Sequence, residues 1–174
     1  RHLRRDCRSG PGLLMQAFLS ALQDMLGPQG VLTARKDMAP YLTDWRQMFI
    51  GSALAVLRPA STDQVAAAVR LCAEHGVALV PHGGNTGLAG GATPTGPKPP
   101  VVLSLARMNR IRDLDPTGLS AVVEAGVILQ TLREAVAAEG RLLPISIAAE
   151  GSAMIGGVLA TNAGGTQVLR YGNA

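Results

Sequence analysis

Pro81-His82-Gly83-Gly84-Asn85-Thr86-Gly87-Leu88-Ala89-Gly90-Gly91 places five glycines in eleven residues, directly after the short apolar run Val77–Val80. Glycine has no Cβ, so such a segment adopts positive φ without clash and turns successive N–H groups toward a common point. A diphosphate offers acceptors for those donors, and the side chains of Asn85 and Thr86 add further bonding groups. The glycines do not follow the GxGxxG order of a dinucleotide-binding turn, and no Lys follows them as in a nucleotide-triphosphatase loop. Glycine content alone also fits a surface loop with a tight turn, because punctuation is glycine's commonest role.

Working upstream, Val77–Val80 reads as a strand, and Ala53–Leu57 as another. Between them Ser61 stands three residues before Gln64, a capping-box spacing that starts a helix with Val65, Ala68, Val69 and Cys72 on its buried stripe and Gly76 beyond its end. Ala53–Val80 is thus a βαβ unit with parallel strands, which puts the glycine loop at the carboxyl end of a strand, where ligands commonly sit in such sheets. Farther upstream, Leu13–Leu26 has helical periodicity, with Leu14, Ala17, Phe18, Ala21, Leu22 and Met25 on one face and Gly27-Pro28 as its stop.

Working downstream, Thr93–Pro100 reads as an exposed loop. Val101–Leu105, Ile111–Leu114 and Ser120–Ala125 are strands, the last two joined as a hairpin by the turn Asp115-Pro116-Thr117-Gly118. Ile128–Glu139 is a helix stopped by Gly140. A second glycine-rich tract follows, Ala148–Gly165, in which Gly156-Gly157 precedes Thr161-Asn162 and Gly164-Gly165. The two tracts together suggest two walls of one cleft, where small residues admit a large planar ligand and Ser152, Thr161 and Asn162 hold its polar edges. Gly156-Gly157 equally suits close packing of backbone on backbone.

Pro81–Ala92, Glu150–Gly165 and Arg170-Tyr171-Gly172-Asn173 resemble the FAD-linked oxidases of the vanillyl-alcohol oxidase superfamily, whose FAD domain is of the PCMH type, and within it the D-2-hydroxyacid dehydrogenase branch. The resemblance runs from about Met15 to the end and includes Tyr41-Leu42-Thr43-Asp44-Trp45 and Arg58-Pro59-Ala60-Ser61-Thr62. It implies an α+β fold: a small βαβ subdomain followed by part of a mixed or antiparallel sheet subdomain with helices. It also implies that the backbone of His82, Gly83, Gly84, Asn85, Thr86, Gly87 and Leu88 binds the FAD pyrophosphate. Gly151, Ser152, Gly156, Gly157, Thr161, Asn162 and Gly165 would lie along the flavin and ribityl chain.

Some relatives bond the flavin to a histidine at the position of Asn85. An amide is no such nucleophile, so the resemblance implies non-covalent FAD. His82 is expected to point to solvent or to hydrogen-bond the cofactor, and Glu150 to cap or brace the second tract. Val158 stands where the family pattern has a polar Asn, implying a lost amide beside the flavin. Val127 and Ala153 occupy positions where cysteines are frequent.

With 174 residues, 47% of them hydrophobic, the chain can bury one sizeable core, and 3% aromatic content leaves no stacking platform for single-stranded nucleic acid. The net charge of +4 rests largely on Arg1, Arg4, Arg5 and Arg8, while the later arginines are scattered, so no nucleic-acid partner is expected. Cys7 and Cys72 form neither a disulfide framework nor a CxxC pair, which fits a reducing compartment. Residues 1–14 are expected to be a basic leader, flexible or non-native, and residues 15–174 an incomplete FAD-binding domain without its substrate domain. No membrane span is expected, and the location is cytoplasmic or peripheral at the membrane. No catalytic or metal-binding residue is assigned.

The complete enzyme is expected to oxidise a hydroxy acid (D-lactate, glycolate or D-2-hydroxyglutarate) and to pass electrons to a quinone, a cytochrome or an electron-transfer flavoprotein. A non-redox nucleotide- or phosphate-binding module and a truncated, non-functional gene product remain the alternatives.

Overall fold

The computed structural model describes residues 11–174. Residues 1–10, the larger part of the expected leader, lie outside the described residues. The first helix, α1 (Pro11–Leu26), begins two residues before the periodicity indicated and takes in the leader's last four positions. Its buried stripe is Phe18, Leu22 and Leu26, flanked by Met15, Leu19 and Met25, whereas Leu14 is exposed. The stripe therefore faces about one position away from the expected one. Gly27, at φ 74°, ends the helix in the left-handed conformation that favours glycine.

The elements that follow are β1 (Val31–Leu32), α2 (Arg35–Met38), a 3-10 turn (Ala39–Tyr41), β2 (Ala55–Leu57), α3 (Thr62–Glu74), β3 (Leu79–His82) and β4 (Val101–Ser104). Ser61 caps α3 by accepting the Gln64 N–H at 3.2 Å, and the Gln64 side chain returns to the Ala60 N–H at 2.7 Å, one residue farther out than a standard capping box. On α3, Ala68 and Cys72 are buried, but Val69, expected on the same stripe, is exposed.

The four strands lie in the order β1-β2-β4-β3, with β1 antiparallel to β2 and the other three parallel. The βαβ unit therefore has its parallel strands, but β4 is inserted between them. Alternate residues cover opposite faces of this sheet. Ala55, Leu57, Val101 and Leu103 pack with α1 and α3, while Val56 and Val102 pack with Met38, Tyr41 and Leu42. Burial on both faces explains why β2 and β4 are continuous apolar runs.

β3 and β4 are parallel neighbours, so the chain must travel back along the sheet to join them. Segment 83–100, which contains the glycine loop, makes this return without a helix. Its proline-rich part is less exposed than expected, because Thr93, Pro94 and Pro100 are buried and only Thr95–Pro99 stands out.

The remaining chain forms the hairpin β5 (Ile111–Asp115) and β6 (Ser120–Val123), then α4 (Leu129–Ala138), α5 (Ile155–Ala160) and α6 (Val168–Tyr171). The Asp115 carboxylate accepts the N–H groups of Thr117 and Gly118 at 3.0 and 2.8 Å and so shapes the hairpin turn. Val127, Leu129, Leu132, Ala153, Ile155 and Val158 form a separate core. At its edge the buried Glu124 carboxylate accepts from Arg110 and Arg112, and these partners pull its pKa down to about 2.

Gly126 donates its N–H to the Met108 carbonyl at 2.8 Å. A Cβ there would collide with the carbonyls of Leu105 and Met108.

Candidate cofactor site

The glycine loop leaves the carboxyl end of β3 at His82. Among the described residues, the backbone N–H groups from Gly83 through Leu88 have no hydrogen-bond acceptor within the chain. Leu88 is half exposed, and at Gly87 and Gly91 the space a β-carbon would fill is open, with nothing within 4 Å. A run of free donors along an open backbone is what an anionic, multidentate ligand needs.

Gly84 is different: a β-carbon there would overlap the carbonyl oxygen of Ser152. The first and second glycine tracts therefore touch, Gly84 against Ser152 and Gly83 facing Met154 at 3.8 Å. The two tracts are therefore neighbours in the fold.

The second tract is not, however, an open loop. Residues Ile155–Ala160 are helical, and the N–H groups of Ile155 and Gly156 donate to the carbonyls of Val127 and Ala125. Gly156 packs on Ala125, whose Cβ would be 2.8 Å from its own, whereas Gly157 faces open space. The two adjacent glycines thus divide the two readings between them.

Gly165, at φ 151°, is pressed against the Ser146 carbonyl. Thr161 donates its hydroxyl to the Gly157 carbonyl at 2.8 Å, and Asn162 adopts φ 50° at the end of the helix. Gly151 and Ser152 are exposed.

Three side chains differ from expectation. His82 does not reach solvent: it is buried beside the Tyr41 ring, centroids 5.0 Å apart, and neither ring nitrogen has a hydrogen-bond partner. Burial is the main influence and lowers its pKa. The Gly83 backbone opposes that shift but is not in hydrogen-bonding geometry with the ring. Val158 points into the second core, so an amide missing at this position is not missing from the open cleft. Asn85, at φ 54°, turns its side chain away to the Thr43 carbonyl, 2.9 Å from Nδ2.

Glu150 does brace the second tract, through an ion pair with Arg133 on α4. Tyr41–Trp45 carries part of the family resemblance, but nothing in the sequence signals that residues 41–50 stand beside the glycine loop. Gly90 lies against the Phe49 ring, and Gly51 against Pro94. No local pattern links positions so far apart in the chain.

A depression lies elsewhere, between the β5–β6 hairpin and α4. It has a volume of about 160 Å³ and is lined by Leu114, Leu119, Leu132, Val136 and Leu142 among others. The glycine loop, with consecutive free N–H groups from Gly83 through Leu88 beside the second tract, is the better place for a phosphate-bearing ligand. Among the described residues there is no cluster of three or more His, Cys, Asp or Glu side chains suited to a metal, and no helix is long and apolar enough to cross a membrane.

Residues 53–174 match the family described as FAD binding domain. The mitochondrial D-2-hydroxyglutarate dehydrogenase of Bos taurus is 39% identical over 155 residues, covering 89% of this chain and 28% of that protein. The D-2-hydroxyglutarate dehydrogenase of Xanthomonas citri pv. viticola is also 39% identical, over 153 residues, with 88% and 32% covered. The chain thus spans about a third or less of the length of these curated relatives.

Among solved structures, an alkyldihydroxyacetonephosphate synthase superposes with a TM-score of 0.83 at 19% identity, over 99% of this chain and 32% of that one. A substrate-bound p-cresol methylhydroxylase gives 0.73 at 22% identity, over 90% and 31%. These two likenesses concern the fold. The free donors, the open positions at Gly87 and Gly157, and the contact between the tracts fit a long ligand with a diphosphate at its middle.

Proposed function

The chain belongs to the FAD-binding domain family, with the α+β fold of PCMH-type flavoproteins, and from that premise we propose that it is the cofactor-holding part of a dehydrogenase oxidising a D-2-hydroxy acid to the 2-oxo acid. In this reading residues 15–174 are the FAD-binding unit. The unsatisfied N–H groups of Gly83–Leu88 carry the reading, since they form an acceptor-seeking surface at a strand end beside the second tract. Bound FAD supplies the two-electron acceptor for the hydrogen on the substrate's C2.

The chain's own residues bind and orient. The amides of His82 through Leu88 surround the pyrophosphate, and Gly151, Ser152, Gly156, Gly157, Thr161, Asn162 and Gly165 form or support the wall along the rest of the cofactor. Gly156 and Gly165 act through packing, because each lies against protein backbone. With an amide at position 85, the flavin is held without a covalent bond there.

D-2-hydroxyglutarate is the foremost substrate, with D-lactate and glycolate behind it, because the relatives above are named for the first. The electron acceptor is a quinone, a cytochrome or an electron-transfer flavoprotein. The cysteine usage fits a cytoplasmic or other reducing compartment, with peripheral membrane attachment as a variant. The family match disfavours a non-redox phosphate-binding module.

Calorimetric titration with FAD, ADP and UDP-sugars tests cofactor choice, and a preference for a non-flavin nucleotide overturns the reading. Anaerobic bleaching of the complete yellow protein by D-2-hydroxyglutarate, compared with D-lactate and glycolate, tests the substrate. A flavin that none of these acids reduces removes the D-2-hydroxyacid assignment while leaving FAD binding intact.

A further inference from the structure

We propose that the Asn85 side chain is a latch which holds the glycine loop against the hairpin Thr43–Ile50, so that this side chain positions the loop for FAD while only the backbone N–H of residue 85 meets the cofactor. The proposal rests on the FAD reading above. Asn85 occupies the left-handed region at φ 54°, which Asn and Gly enter most readily. From there Nδ2 donates to the carbonyl of Thr43, 42 residues earlier in the chain.

The hairpin is a firm anchor. Thr43 bridges to Ile50, the Asp44 N–H donates to the Phe49 carbonyl at 3.2 Å, and the Gly51 N–H to the Leu42 carbonyl at 2.8 Å. The buried Asp44 carboxylate accepts the N–H groups of Phe49 at 2.7 Å and Arg46 at 3.1 Å, closing the turn from within. The same hairpin region meets the glycine loop on both sides of Asn85: the Tyr41 ring lies tilted against His82, and the Phe49 ring covers Gly90.

The loop has little to hold its own shape, because its N–H groups from Gly83 through Leu88 are unpaired within the chain. A glycine-rich segment loses much conformational freedom when it closes on a ligand. Contacts that impose the closed shape beforehand remove part of that cost and tighten binding. Asn85 supplies the hydrogen bond at the centre of these contacts.

Asn85→Gly in the full chain tests this, since glycine keeps access to positive φ while removing the amide; because glycine also loosens the free loop, the hairpin readout and not the affinity alone reports the latch. Trp45, the sole tryptophan, lies in the turn of the hairpin and reports on it without FAD. In the FAD-free variant, altered Trp45 emission and faster hydrogen exchange at Phe49 and Gly51 are expected, with FAD bound about fivefold more weakly, the scale of one net hydrogen bond. Asp44→Ala, which releases the hairpin from the other side, is expected to weaken FAD as well, and the double variant to lose less than the two effects combined.

If N85G weakens FAD while the FAD-free hairpin is unchanged, the Asn85 side chain does not act through the hairpin and the latch is overturned. Unchanged FAD affinity, or full additivity with D44A, overturns it too. A folded wild-type chain that ignores FAD overturns instead the FAD reading and the positioning role that depends on it.

Discussion

Gly84 and Ser152 meet where the two glycine-rich tracts cross: the α-carbon of Gly84 lies so near the Ser152 carbonyl that no β-carbon fits between them. Gly84 is not among the glycines at positive φ, so its requirement is for space and not for an unusual backbone conformation. Gly84→Ala is therefore expected to push the tracts apart, costing about 1–3 kcal/mol of stability and lowering FAD affinity at least tenfold. Gly87→Ala, with open space at its β-position, should leave the melting temperature of the FAD-free protein unchanged. Thermal melts and FAD titrations of the two variants check this, and equal melting temperatures would contradict the contact.

Ser61 caps α3 through a hydrogen bond confined to the start of that helix. Ser61→Ala is expected to cost about 1 kcal/mol, the usual value of an N-cap, with FAD affinity unchanged. Urea unfolding gives the first quantity and fluorescence titration the second.

Glu124 gives the protein an acid limit. Its carboxyl titrates near 2 in the folded state, against 4.5 for the free group, first because Arg110 hydrogen-bonds to it. A carboxylate with a depressed folded pKa adds stability that is complete above about pH 4.5 and is lost as the pH falls toward 2. Glu124→Gln should be less stable than the wild type at neutral pH and converge with it in acid. Chemical denaturation at several pH values between these limits measures the convergence.

His82 acts in a higher pH range. Burial lowers its folded pKa below 6.5, so the unfolded chain takes up the proton first as the pH drops. Stability that is present above pH 6.5 is lost as the pH falls through the folded value. His82→Phe removes two buried nitrogens without partners and keeps a ring beside Tyr41. It should be at least as stable as the wild type at pH 7 and show a flatter decline in mild acid. A variant whose melting temperature falls as steeply between pH 7 and about 5 would show that His82 is not the group responsible.

Much of the architecture was legible in short stretches of sequence. The Ser61–Gln64 spacing located the start of α3, Asp115-Pro116-Thr117-Gly118 located the β5–β6 turn, and the run Val77–Val80 foretold a strand leading into the glycine loop. Helical periodicity found α1 but set its buried face slightly off, leaving Leu14 exposed. Helix α5 escapes the sequence reading, because the tract around Gly156-Gly157 suggests a cleft wall of small residues. Its first N–H groups instead find acceptors in the backbone of Ala125 and Val127.

Caps, turns and strand ends depend on hydrogen bonds and torsion preferences spanning a few neighbouring residues, and these are written in composition and spacing. The insertion of β4 between β2 and β3, the burial of His82 beside Tyr41, the reach of Asn85 to Thr43 and the meeting of Gly84 with Ser152 have no such local cause. Each joins residues far apart in the chain, and each follows from how whole elements pack against one another. Residue spacing thus points to a loop able to take a diphosphate, while long-range packing sets which of its residues face the ligand and which hold the loop in place.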